Sequence, residues 1–332
     1  MADFYNGDTN GRERTRTSPY IPQNNPPTRC MVGCVISLDR GFPLAKTPEG
    51  EFRARHSTEL VKNVDARAVV GDVVELEWPP GQDVPLICAI RPRGHTLVRR
   101  SLVESRHEGA GKHDEQVLAA NIDVVFVVCA LSNRSLDAAY LERQLVMAHE
   151  SGAEVVIVLT KADLATHRDK DIACVRELAF DTPIIVESAV TGEGIAQVAT
   201  MLGDGRVGVL LGRSGVGKST LINELLGAPL LETGAVRGKD RAGRHVTVAR
   251  RMVFLDNGAA LIDTPGLRSI GLYDAHDGLA ATFPDVVALA ADCRYRDCAH
   301  VNEPGCAVLA AVEAGELPPA RLTSYTTIAT EV

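Results

Sequence analysis

Aromatic residues are scarce in this 332-residue chain, at 4% with a single tryptophan, and positive charge is in deficit: 35 Lys+Arg face 43 Asp+Glu, a formal net charge of −8. The deficit argues against a protein that coats nucleic acid by bulk charge, although a local basic patch could still contact RNA. No apolar run approaches the ~20 uncharged residues that span a bilayer, and the N-terminal segment lacks the apolar stretch of a secretory signal. The expectation is a soluble, cytoplasmic monomer with no membrane partner.

Hydrophobic residues make up 45% of the chain, ample for packed cores, and at ~100–200 residues per domain the length suggests two or three domains. Collagen-like, coiled-coil and wholly disordered readings fall away. Of the eight cysteines, Cys30, Cys34, Cys88, Cys129 and Cys174 are scattered, while Cys293, Cys298 and Cys306 crowd one segment beside His300. A secreted disulfide framework does not suit a chain this long without an export signal, and a local metal site fits better.

Residues 1–29 are rich in Asn, Pro, Thr and Arg and cannot bury enough surface to offset the entropy of ordering, so they read as a disordered tail. From 30 to 97, short β-type runs (MVGCVISL, ARAVVGDVVELEW, PLICAI) alternate with Gly, Pro and Asp turns, the texture of a small β-barrel. Residues 98–120 read as a basic linker, with Arg99, Arg100, Arg106 and Lys112 outnumbering Glu104 and Glu108 over 98–113, ahead of Asp114 and Glu115. Across 121–271, apolar β-branched runs such as VVFVVCAL, EVVIVLT and VGVLLG alternate with helix-like stretches, which points to a mainly parallel α/β sheet. Residues 272–332 form Ala-rich helical stretches around the Cys/His cluster.

The sharpest motif runs through Gly212, Arg213, Ser214, Gly215, Val216, Gly217, Lys218 and Ser219, with Thr220 following, between the strand VGVLL and the helical stretch TLINELLG. It fits G-x-x-x-x-G-K-[ST], in which glycines let backbone N–H groups close around phosphates at a helix N-terminus. Lys218 would neutralise the β- and γ-phosphates and Ser219 would hold Mg²⁺. Farther on, the strand AALI leads into Asp263-Thr264-Pro265-Gly266, where the acid could hold Mg²⁺ and the Gly266 N–H could meet a γ-phosphate. By itself DTPG is a common turn; after a phosphate loop and at a strand end it reads as a nucleotide-sensing switch.

Base choice is addressed by Thr160-Lys161-Ala162-Asp163 after EVVIVL and by Ser188-Ala189 after PIIVE. A carboxylate at Asp163 can accept from N1–H and the exocyclic amine of guanine, a donor pair adenine lacks, which selects GTP and disfavours a plain ATPase. These motifs precede the phosphate loop, the reverse of the Ras-like order. All lie at strand C-terminal ends, where open α/β sheets bind ligands, so one site can still form from a circularly permuted domain.

The cluster Cys293, Cys298, His300, Cys306 has the spacing Cys-x4-Cys-x-His-x5-Cys. Three thiolates and an imidazole fill a tetrahedral Zn²⁺ shell with no open position, so a structural zinc is expected; a redox-active thiol pair is the alternative.

Barrel, permuted motifs (TKAD, SA, GRSGVGKS, DTPG) and the segment CRYRDCAHVNEPGC together resemble the RsgA family of ribosome small-subunit-dependent GTPases, from about Cys30 to Tyr325. The resemblance implies an α/β fold: a circularly permuted P-loop GTPase domain flanked by an N-terminal OB-type β-barrel and a C-terminal zinc-finger domain. It implies binding of the small ribosomal subunit and its rRNA, late subunit maturation, and hydrolysis of GTP to GDP to drive release. The family's switch I carries a Gly-Arg-His-Thr-Thr segment; here it is Gly243-Arg244-His245-Val246-Thr247. Val246 departs from it, leaving Thr247 as the candidate hydroxyl toward Mg²⁺. Leu267 follows DTPG where Ras-like enzymes place a water-orienting Gln, so intrinsic hydrolysis should be slow, with His245 the candidate for positioning water. Between 235 and 251, Arg237, Lys239, Arg241, Arg244, Arg250 and Arg251 face only Asp240, a basic loop able to contact rRNA phosphates, as could Arg294 and Arg296. The competing reading is a GTP-regulated, zinc-bearing scaffold or metal-handling protein that does not act on ribosomes.

Overall fold

The computed structural model describes residues 29–39, 42–62, 67–100, 115–131, 136–231, 250–264 and 271–332. The N-terminal strands are β1 (Arg29–Asp39), β2 (Phe42–Thr47), β3 (Gly50–Arg53), β4 (Arg55–His56), β5 (Val73–Trp78) and β6 (Leu86–Ile90), with a short helix α1 (Thr58–Lys62) after β4. Antiparallel pairings link β1 to β2 and β5, β2 to β3, and β5 to β6, while β4 runs parallel to β6. Alternate residues face inward, and Val35, Ala45, Val74, Leu76 and Ile87 close a small separate core, consistent with an OB-type barrel.

The stretch expected to be a linker begins and ends in strand. β7 (Thr96–Arg100) and β8 (Glu115–Ala120) pair antiparallel, and Leu97, Leu118, Ala119 and Ala120 are fully buried. Polar side chains on the outward face, Arg99 and Gln116 among them, hid the strand pattern. At the junction Gly71 (φ 94°) packs so closely that a Cβ there would lie 2.0 Å from the Ala120 carbonyl oxygen.

Beyond it come β9 (Val124–Ala130), α2 (Ala138–Glu150), β10 (Glu154–Thr160), α3 (Arg168–Ala179), β11 (Ile184–Val186), α4 (Ile195–Leu202), β12 (Val207–Leu211), α5 (Lys218–Leu226), β13 (Arg251–Phe254) and β14 (Ala260–Asp263). The spatial order β11-β10-β9-β12-β14-β13 is parallel except for β13. Both faces are covered, which explains the unbroken apolar runs: Val125, Val127, Ile157, Leu159 and Val209 enter one core, and Val124, Phe126, Val156, Val158 and Leu210 the other. A fully buried side chain such as Phe126 contributes about 1.5–3 kcal/mol. β13 pairs with β1 through Ser37 and Arg251, so barrel and α/β sheet are continuous.

The C-terminal unit is α6 (His276–Thr282), α7 (Pro284–Ala290), α8 (Ala307–Ala314) and α9 (Pro319–Ala329). α6 and α9 pack on α2, and buried Arg321 pairs with buried Glu142 of α2 and with Asp285. No helix among the described residues is long and apolar enough to cross a membrane.

Candidate nucleotide site and metal centre

The sheet brings the motifs to one edge, because β10, β11, β12 and β14 run parallel and end side by side. β12 delivers the chain into the loop at 212–217, and α5 starts at Lys218. Two glycines carry the turn: Gly215 has φ 81° and Gly217 φ 112°. Gly212 leaves β12 so close to β9 that a Cβ would stand 2.5 Å from the Val128 carbonyl oxygen.

Lys218 is buried, and its ammonium donates to the carbonyls of Gly212 at 2.7 Å and Arg213 at 3.0 Å. Two of its three N–H groups thereby tie the loop shut, leaving one and the charge for phosphate. Burial pulls its pKa down, opposed by the nearby Asp263 carboxylate. Burial likewise pushes the Asp263 carboxyl above its usual range, against the pull of Lys218 and a hydrogen bond from Ser219. Asp263 Oδ1 is buried and has no hydrogen-bond partner among the described residues. A carboxylate oxygen left bare beside the Ser219 hydroxyl is an oxygen pair of the kind a hard divalent cation accepts. Thr264 fixes the strand end by donating to the Leu210 carbonyl at 2.5 Å.

The base-side loops lock onto the phosphate loop. The Thr160 hydroxyl donates to the Val216 carbonyl, and Lys161, itself left-handed at φ 59°, donates from Nζ to the Gly215 carbonyl at 2.6 Å. Ser188 donates to Asp163 Oδ1 at 2.7 Å, and the Ala162 N–H donates to the Glu187 carbonyl at 3.0 Å. Ala189 follows Ser188 half-buried, in a turn closed by Gly192 N–H on the Ser188 carbonyl. Thr160, Lys161, Ala162, Asp163, Ser188, Ala189, the residues 212–220 and Asp263 thus share one edge. Gly266, His245 and Thr247 lie outside the described residues.

Two features escaped the sequence. Glu187 is buried with Oε1 unpartnered among the described residues, and burial plus the neighbouring Asp163 and Glu224 carboxylates push its pKa to about 7. Arg213 turns away from the loop to Asp137 and Tyr140 of the α2 start. No local signal marks either, since both depend on what the fold sets against them.

In the C-terminal unit the ligand atoms of Cys293, Cys298, His300 and Cys306 all lie within 4.8 Å of one another. Cys293 Sγ stands 3.6 Å from His300 Nδ1 and 3.8 Å from Cys306 Sγ, and His300 Nδ1 stands 3.4 Å from Cys306 Sγ. Bonds of ~2.3 Å to sulfur and ~2.0 Å to nitrogen give a tetrahedron edges of roughly 3.8 and 3.5 Å, so the cluster could hold zinc. Glu303 shapes the loop by accepting the N–H groups of Ala299, Val301 and Asn302 at 2.9–3.0 Å. His300 sits at φ 59°, a conformation of order 1–3 kcal/mol in cost that surroundings must enforce.

The RsgA GTPase family model matches residues 90–273. The small ribosomal subunit biogenesis GTPase RsgA of Streptomyces avermitilis is 45% identical over 300 residues, 89% of this chain and 78% of that protein. Its namesake in Xanthomonas axonopodis pv. citri is 41% identical over 296 residues, covering 88% and 78%. The crystal structure of YjeQ from Thermotoga maritima superposes with TM-score 0.65 at 25% identity, over 90% of this chain and 97% of that one. YloQ, a circularly permuted GTPase, shares the fold with TM-score 0.60 at 22% identity, over 91% and 95%.

Proposed function

This chain belongs to the RsgA GTPase family, and we propose that it works in the cytoplasm as a monomer on the small ribosomal subunit, contacting rRNA during late maturation and leaving once GTP is hydrolysed to GDP. The observation that supports this most is the convergence of Asp163, Ser188, Lys218 and Asp263 from four strand ends, in permuted sequence order, on one edge of the sheet.

Asp163 holds the guanine edge, steadied by Ser188. Loop amides and Lys218 meet the phosphates; catalysis is positioning and electrostatic stabilisation of the transferring phosphoryl group. Ser219 and Asp263 would hold Mg²⁺, which would supply positive charge to neutralise that developing on the phosphate oxygens. His245 orients the attacking water and Thr247 supplies the switch I hydroxyl, roles resting on the family resemblance. With Leu267 in place of a water-orienting side chain, turnover is slow without the subunit. Zinc bound by Cys293, Cys298, His300 and Cys306 would be structural, since these four side chains would fill a tetrahedral shell and leave no position for water.

The test is GTP hydrolysis by the purified chain, with ATP as control, alone and with small ribosomal subunits. Stimulation confined to GTP, and lost in His245→Ala with GTP affinity retained, is the expected result. GTP binding with a rate indifferent to subunits would overturn the ribosomal assignment and favour a GTP-regulated scaffold.

A further inference from the structure

We propose that α2 couples the phosphate loop to the C-terminal helical unit, with Arg213 as the positioning residue that fastens the loop to that helix. The inference rests on the phosphate-loop reading above and adds to it the route by which nucleotide occupancy is felt elsewhere.

Arg213 belongs to the loop by its backbone and to α2 by its side chain. Its carbonyl accepts from Lys218, so charge drawn to that lysine acts directly on the Arg213 peptide. Its guanidinium donates to Asp137 Oδ2 at 2.8 Å and lies 3.7 Å from the Tyr140 ring centroid. Asp137 is the N-cap of α2, and its other oxygen accepts the Tyr140 N–H at 3.1 Å. One carboxylate therefore starts the helix and anchors the loop, and a displacement of Arg213 acts on the first turn of α2.

The following turn of α2 grips the C-terminal unit. Glu142 is buried and accepts from Arg321 and from the Ser324 hydroxyl, both on α9; Arg143 pairs with Glu331 just beyond it. Arg321 also donates to the Thr282 carbonyl at 2.7 Å, tying in the end of α6. Loop and C-terminal unit thus hold neighbouring turns of a helix of 13 residues, too short to absorb a shift between them.

Beside Arg213 the packing opens. A cavity of about 450 Å³ separates α2 from α9, walled by Ala139, Tyr140, Ala320, Thr323, Thr327 and Ile328. Ala139 and Tyr140 of the first turn of α2 line that space, while Leu141 and Glu142 on the inner side of the helix are buried. A short helix fastened to the phosphate loop at its start and to α9 by a buried ion pair one turn on is a stiff element of the kind through which coupling travels. The Arg213–Asp137 pair is about half exposed on both sides and adds little to stability, so its removal should cost communication and leave the fold intact.

The experiment is amide hydrogen exchange across α9 in the full-length chain, without nucleotide and at saturating GDP, with binding titrated in the same samples. In the parent protein GDP should slow α9 exchange about fivefold or more, the low end of ordinary coupling. Arg213→Ala, compared at saturation so that affinity drops out, should reduce that to under twofold. Asp137→Asn keeps a capping acceptor but removes the charge, and should lose as much. Arg213→Lys, which retains charge, should recover part of it. Protection unchanged in Arg213→Ala and Asp137→Asn, or absent in a parent protein that binds GDP, overturns the coupling. Failure of the parent protein to bind GDP instead overturns the phosphate-loop reading, and the titration separates the two.

Discussion

The Ser188 hydroxyl donates to Asp163 Oδ1 at 2.7 Å, joining two loops that leave different strands and leaving the second carboxylate oxygen free of that bond. Loops at adjacent strand ends have to be held in register to present one base edge, and this bond does so. Asp163→Asn exchanges an acceptor of two N–H groups for an amide that donates at one of them. Each charged hydrogen bond is worth about 1.5–3 kcal/mol, so GTP should bind at least a hundredfold more weakly, while XTP, with a carbonyl at that position, gains. Competition titration of GTP against XTP checks the exchange; equal weakening of both would show that the loop had merely collapsed.

Glu187 gives the molecule a pH dependence whose sign is set by burial. Its pKa is raised from 4.5 to about 7, so the folded chain keeps a proton that the unfolded chain releases in that interval. Folding stability from this group is fully present below about 4.5 and lost as pH rises toward 7, a swing on the order of 3 kcal/mol. Glu187→Gln should flatten the slope and be the more stable protein at pH 8. Urea midpoints at pH 5 and pH 8 for both proteins measure it, and parallel slopes would refute the assignment.

Legibility followed sequence distance. The phosphate loop, TKAD, DTPG and the Cys/His spacing each sit within a short window, where residue type and order dictate the local conformation, and the apolar runs announced a sheet covered on both faces. Glu142 and Arg321, far apart in sequence, meet only because α9 packs on α2, and no periodicity encodes that meeting. The end of β7 and all of β8 fall in the 98–120 stretch whose sequence reads as a linker, since polar side chains such as Arg99 and Gln116 on the outer face mask buried Leu118, Ala119 and Ala120. Glu187 looked like any glutamate after a strand; its burial comes from the neighbours the fold puts around it.

Cys306 has two duties, for its sulfur also accepts the Leu309 N–H at 3.4 Å as the N-cap of α8. Metal removal should therefore free the 293–306 loop and the start of α8 together. The purified chain should carry one zinc, and chelation or Cys306→Ser should open that segment to limited proteolysis while nucleotide binding persists. A metal-free chain with a protected segment would argue for a thiol cluster held by its own hydrogen bonds.

Arg321 tests what buried charge does at the seam between the α/β sheet and the C-terminal unit. It faces Glu142 and Asp285 and lies 4.2 Å from the Phe283 ring centroid. Arg321→Met keeps most of the side-chain volume but strands the Glu142 carboxylate in the interior, which should cost about 3–5 kcal/mol. Adding Glu142→Leu removes the stranded charge, so the double variant should recover most of that loss even though it makes fewer ionic contacts. Denaturant unfolding of both single variants and the double variant gives the coupling energy directly. If the double variant is no better than Arg321→Met, Arg321 secures the seam through Phe283 and the Thr282 carbonyl, and the ion pair contributes only orientation.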